Sequence, residues 1–185
     1  MTTLLGGTFN PPHNGHVALA RAAEERFGDE VVVLVAAQPG HKEVELDAET
    51  RLLLARAAFP DHEVELDPHG RTVDLLQAGR WRDPLFVIGA DEFSDFMSWK
   101  DPEGVVARAR IAVATRPGHP SERLQSVLDR LSRPERVQFF ELEPLPISSE
   151  DIRERVARGE PIDGLVPPAV AELIDSLGLY RSGST

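Results

Sequence analysis

Short runs of apolar residues alternate along the chain with stretches whose apolar positions recur at helical spacing. Thr2–Leu5 and Val31–Ala36 are β-branched or apolar runs, and between them His16–Phe27 carries a helical pattern that Gly28 ends. That is a β-α-β unit. The alternation continues through a helix near Ala48–Phe59, a weak strand near Glu63–Leu66, a helix near Thr72–Ala78 and the buried-looking strand Leu85–Ile88. A helix near Pro102–Ala109, the strand Ile111–Ala114, a helix near Ser121–Leu131 and the strand Val137–Phe140 follow, and helices near Ser149–Arg158 and Pro168–Leu177 close the chain. This order predicts an α/β fold, a Rossmann-like, doubly wound, mostly parallel sheet with C-terminal helices. Ligands of such sheets sit at the carboxyl ends of the strands.

At 185 residues and 41% hydrophobic, the chain is long enough for one well-buried core, so residues 1–181 read as a single domain and 182–185 as a loose tail. No apolar run approaches the roughly 20 residues of a membrane span, and Met1-Thr2-Thr3 lacks the basic start of a secretion signal. The expectation is a cytoplasmic protein with no membrane partner. The absence of cysteine excludes disulfides, thiolate catalysis and cysteine-ligated metal sites. A net charge of −11 argues against nucleic acid as a partner, because such binding rests on many basic contacts to phosphates. An anionic small ligand would need a local basic pocket. Of the 20 basic residues only Lys42 and Lys100 are lysines, which marks each as a position suited to a compact ammonium.

The candidate pocket begins at Gly6-Gly7-Thr8-Phe9-Asn10-Pro11-Pro12-His13-Asn14-Gly15-His16. Glycines where the first strand should end let the backbone turn tightly and approach a phosphate closely. His13 and His16, three apart at a helix N-terminus, add two imidazoles where backbone N–H groups favour anions. The pattern matches neither the dinucleotide nor the P-loop motif. The histidines alone would suit an exposed turn, or a metal site lacking its third ligand, and no metal site is expected. Following Gly-Gly-Thr-Phe, they resemble the His-x-Gly-His signature of the nucleotidylyltransferase superfamily. That resemblance implies ATP or CTP bound by the backbone of Gly6, Gly7, Thr8 and Phe9, with His13 and His16 on the phosphates and Asn10 where an aspartate is often seen.

Ile147-Ser148-Ser149-Glu150-Asp151-Ile152-Arg153 is similar to the family's second signature, which implies Ser148, Ser149 and Arg153 on the β- and γ-phosphates. Ser148 followed by Asp151 also reads as a capping box, compatible with that role. Glu150 stands where the family has threonine; two carboxylates beside a triphosphate weaken its binding or demand Mg²⁺ between them. Glu150 is therefore expected to point away.

Gly89-Ala90-Asp91 follows the strand Leu85–Ile88, a position suited to meeting a ribose; Asp91 could equally cap the next helix. With Trp99 eight residues on, and Arg116-Pro117-Gly118 after the next strand, the chain resembles bacterial nicotinate-mononucleotide adenylyltransferases. The resemblance implies ATP contacts at Gly89, Asp91 and Arg116. It further implies Trp99 stacked on the nicotinate ring, Thr72 near its carboxylate and Lys42 on bridging phosphates. Gly40 and Arg71 depart from the family pattern.

The implied reaction transfers AMP from ATP, carried with Mg²⁺, to nicotinate mononucleotide, giving deamido-NAD and pyrophosphate, with His16, His13, Lys42 and Arg153 as catalytic groups. A phosphate monoester with a second pKa of about 6 is largely dianionic at neutral pH and needs no general base. Pantetheine-phosphate adenylyltransferase shares both signatures, and a non-catalytic nucleotide-binding regulatory domain would also carry them; both stay open at this level.

Overall fold

The computed structural model describes residues 2–39, 44–116, 122–143 and 145–181. The sequence readings at Gly40, His41, Lys42, Pro117, Gly118 and 182–185 lie outside them.

The apolar runs become strands β1 (Thr2–Gly7), β2 (Glu30–Ala36), β3 (Glu63–Asp67), β4 (Leu85–Gly89), β5 (Arg110–Thr115) and β6 (Val137–Glu141). They form one sheet in the order β3-β2-β1-β4-β5-β6, and every pairing in it is parallel. The helical segments become α1 (Asn14–Phe27), α2 (Ala48–Ala58), α3 (Thr72–Gln77), α4 (Ala90–Ser94), α5 (Pro102–Arg108), α6 (Glu122–Leu128), α7 (Ser149–Ala157) and α8 (Pro168–Ser176). Gly28 ends α1 as expected, at φ 70°, a left-handed conformation that costs glycine little.

Alternation along the strands sends successive side chains to opposite faces, and both faces are covered. Leu5, Val31, Val33, Val35 and Val87 pack with Ala20 and Ala23 of α1, Leu54 and Ala55 of α2, Ile152 of α7 and Val170 of α8. Leu4, Val32, Leu34, Phe86 and Ile88 pack with Val73 of α3, Phe93 of α4, Val105 of α5 and Leu124 of α6. Two-sided burial explains why these strands read as unbroken apolar runs. Among the described residues no helix is long and apolar enough to cross a membrane.

The strand order reverses between β1 and β4, where Leu5 pairs with Val87. Their carboxyl ends therefore splay apart and leave a crevice between the Gly6–Thr8 end of β1 and Gly89. Two elements differ from the sequence reading. Gly6 and Gly7 are the last residues of β1 rather than a turn beyond it, and α4 with a 3₁₀ turn at Phe96–Ser98 fills a stretch for which no helix is predicted.

Candidate nucleotide and acceptor site

Phe9 leaves β1 in a left-handed conformation, φ 51°, and folds its ring back over Gly7. A Cβ on Gly7 would stand 2.8 Å from Phe9 Cζ, and one on Gly6 would stand 3.0 Å from Phe86 Cζ. Packing against the Phe9 ring thus demands a glycine at 7, and at 6 a side chain would crowd the tip of the Phe86 ring. The Phe9 ring also meets His16 edge-on, with centroids 5.1 Å apart.

His13 is the N-cap of α1 and His16 lies in its first turn, so the chain itself brings the imidazoles together. They stack with centroids 3.7 Å apart. The His13 backbone N–H donates to His16 Nδ1 at 3.1 Å, which assigns the proton of neutral His16 to Nε2. His13 Nδ1 is buried without a hydrogen-bond partner among the described residues. Gly15 lies beneath it, where a Cβ would stand 2.9 Å from that nitrogen. Burial pushes His13 down to about pKa 4; burial, then the charge of His13, pushes His16 down to about 3. Both rings are neutral at pH 7.

The C-terminal helices hold this loop from behind. Ser148 Oγ caps α7 by accepting from the Asp151 N–H at 3.1 Å, Ser149 Oγ donates to Pro11 O at 2.8 Å, and Arg153 Nη1 donates to Asn10 O at 2.8 Å. Both serine hydroxyls thus have structural partners, and Ser148 caps α7 as its spacing to Asp151 predicts. Asn10 is buried, and its Oδ1 accepts from the Tyr180 hydroxyl at 2.8 Å. A neutral amide suits that place, since a carboxylate would be desolvated there.

A cleft of about 870 Å³ is lined by Gly6, Gly7, Thr8, Phe9, His13, His16, Gly89, Asp91, Arg116, Ser148, Ser149 and Arg153, so these residues expected to meet ATP share one cavity among the described residues. Glu150 lines it too, contrary to the expectation that it points away. As the second residue of α7 it projects at the same end as Ser149, and it stays exposed to water. Leu142, Leu145 and Ile147 add an apolar lip. The sequence signal for them was the run of apolar residues directly before the two serines.

A second cavity of about 430 Å³ is lined by Thr72, Trp99, Arg71, His69, Lys100 and Leu75. Trp99 is half-buried, packed on Phe96 at 5.0 Å and edge-on to Phe86 at 6.4 Å, so it serves both core and cavity. Lys100 Nζ is held by both carboxylate oxygens of Asp74 at 2.8 and 2.9 Å. The two cavities share Gly6, Gly7, Thr8 and Glu92. Glu92, absent from the sequence reading, accepts from the Gly89 N–H at 3.2 Å and so caps α4. Asp91 does not cap that helix; it lies exposed in its first turn.

The cytidylyltransferase-like family model matches residues 4–155. A protein of Rubrobacter xylanophilus named "Probable nicotinate-nucleotide adenylyltransferase" is 37% identical, over 97% of this chain and 91% of its own. One of the same name from Moorella thermoacetica is 38% identical over 96% and 90%. The solved structure of Plasmodium falciparum nicotinic acid mononucleotide adenylyltransferase complexed with NaAD superposes at a TM-score of 0.77, 18% identical, covering 97% of this chain and 96% of that one. With the His-x-Gly-His loop at the strand-order reversal and near-full-length relatives above 30% identity, the chain belongs to the cytidylyltransferase-like family and, within it, to the nicotinate-nucleotide adenylyltransferases.

Proposed function

We propose that this protein transfers AMP from ATP to nicotinate mononucleotide, releasing pyrophosphate and forming deamido-NAD. The observation that carries the reading is the pair of cavities meeting at Gly6–Thr8, one with two imidazoles and two arginines, the other with an indole and basic groups. A two-substrate transfer needs such an arrangement, with the reacting phosphates brought together at the shared turn. The relatives named above support the acceptor. The reading takes residues 1–181 as one catalytic domain working in the cytoplasm, where ATP is abundant.

In this reading the acceptor's phosphate oxygen attacks the α-phosphorus of ATP; the new P–O bond forms as the bond to the bridging oxygen breaks, and pyrophosphate leaves with the electron pair. No proton need move. His16 donates from Nε2–H to the α-phosphate as charge grows on it, while His13 and Arg153, with the Ser148 hydroxyl, whose proton is not used in capping α7, hold the β- and γ-phosphates. Lys42 neutralises the bridging phosphates. Leu142, Leu145 and Ile147 face the purine, Asp91 the ribose, and Trp99 stacks on the pyridine ring. Mg²⁺ would be carried in with ATP and would screen the triphosphate from Glu150, which lines the same cleft.

Pyrophosphate release from Mg·ATP, measured in parallel with nicotinate mononucleotide, nicotinamide mononucleotide and phosphopantetheine, tests the reading. Fastest release is expected with nicotinate mononucleotide. Preference for phosphopantetheine would replace the acceptor, and no release with any of them would leave a nucleotide-binding module.

A further inference from the structure

Among the described residues the largest fully buried side chain lines neither of these two cavities. Arg51, on α2, is 1% exposed. Its hydrogen bonds among the described residues all end on main-chain carbonyls: Nη1 donates to Thr8 O at 3.0 Å and Ala36 O at 2.7 Å, Nη2 to Ala37 O at 3.1 Å, and Nε to Leu46 O at 3.2 Å. Burying a guanidinium costs several kcal/mol unless its donors are met. Here its plane is filled by carbonyl oxygens from three separate stretches of chain.

Those stretches are the walls of the site. Thr8 belongs to the turn that both cavities share. Ala36, with Gln38 and Pro39 beyond it, lines the second cavity and not the first. Ala37 and Leu46 bracket the segment that carries Lys42. Strands β1 and β2 are paired up to Gly7 and Val35, so Thr8, Ala36 and Ala37 begin where the ladder between them stops. Past that point the guanidinium does the tying.

We infer that Arg51 is a positioning residue that fixes the nucleotide cavity and the acceptor cavity relative to each other, through one planar fork bonded to the end of β1, the end of β2 and the start of α2. The inference rests on the two-substrate reading of the cavities. Lysine cannot replace it, because its three donors radiate from one nitrogen and cannot reach carbonyls set around a plane. A shift of about 1 Å between reacting groups costs on the order of 100-fold in rate.

The test compares Arg51→Lys with Leu54→Ala, a fully buried apolar position on the same helix whose truncation destabilises the core and removes no hydrogen bond to either loop. With both folded and assayed well below their melting temperatures, Arg51→Lys is expected to lower kcat roughly 100-fold and raise KM for both substrates. Leu54→Ala should keep wild-type kcat. Equal kcat losses in the two variants, or loss confined to acceptor KM, would overturn the role.

A second measurement uses the wild-type protein and needs neither a variant nor turnover. Hydrogen exchange with ATP alone is expected to slow not only at residues 8–10 but also at 36–38, across the clamp. Slowing at 8–10 with no change at 36–38 would show the two walls to be independent, whatever reaction the site performs.

Discussion

Gly15 shows what a single residue contributes to the phosphate loop. Its missing Cβ leaves room for the His13 ring, which a methyl group would meet at 2.9 Å from Nδ1 and 3.0 Å from Cε1. Gly15→Ala should therefore tilt His13 off His16 with little effect on folding, raising the KM for ATP roughly tenfold; steady-state kinetics beside a melting curve would check this, and an unchanged KM would show that the stack is not needed. The histidines and glycines were legible because the chemistry packs them into eleven consecutive positions, Gly6–His16. Arg51 was not. On a helix of an arginine-rich chain it looks like one more solvated cation, and only the tertiary fold reveals that Thr8, Ala36 and Leu46 converge on it. Asn10 reads in the sequence only as a replacement for the family's aspartate, and the fold adds that its side chain bonds the Tyr180 hydroxyl.

At the scale of elements, strands and long helices followed from periodicity because the sheet is apolar on both faces and the helices on one. Helix α4 escaped since five residues are too few to display a helical period. Strand order escaped for another reason: β1 pairs with β4 through contacts such as Thr3 to Leu85, which no local pattern encodes. The far end of the chain matters in the same way. Tyr180, just after α8, reaches Asn10 across the whole sequence, and burial raises its hydroxyl pKa well above the ordinary value. Tyr180→Phe leaves Asn10 Oδ1 buried without that donor, at a cost of about 1–3 kcal/mol. Denaturant unfolding should register that loss, together with a higher KM for ATP as the loop loosens; an unaltered midpoint would mean water takes the hydroxyl's place.

For the whole molecule, the neutral imidazole pair links stability to acidity. An unfolded histidine titrates near 6.5, whereas the folded protein holds His13 to about 4 and His16 to about 3. Below 6.5 the unfolded chain takes up protons that the folded one refuses, so stability is complete above that value and drains away as pH falls toward 4 and then 3. At pH 5 His16 alone accounts for about 2 kcal/mol. Melting temperature should fall between pH 7 and 5, and the double substitution His13→Gln, His16→Gln should flatten the slope; an equally steep slope in that variant would locate the acid sensitivity elsewhere.

The nucleotide cavity draws on Leu5 and Ala114 of one sheet face, and the acceptor cavity on Leu34, Phe86 and Ile88 of the other. Among the described residues, Gly6, Gly7, Thr8 and Glu92 belong to both. In heredity, that partition lets the two halves drift separately. Under the proposed function, substitutions around β3 and α3, Arg71 among them, are expected to change the acceptor preference and not the KM for ATP, which parallel assays with the three acceptors would check. The seam has less room to change, because a side chain on Gly7 would run into the Phe9 ring and one on Gly6 would crowd the tip of the Phe86 ring.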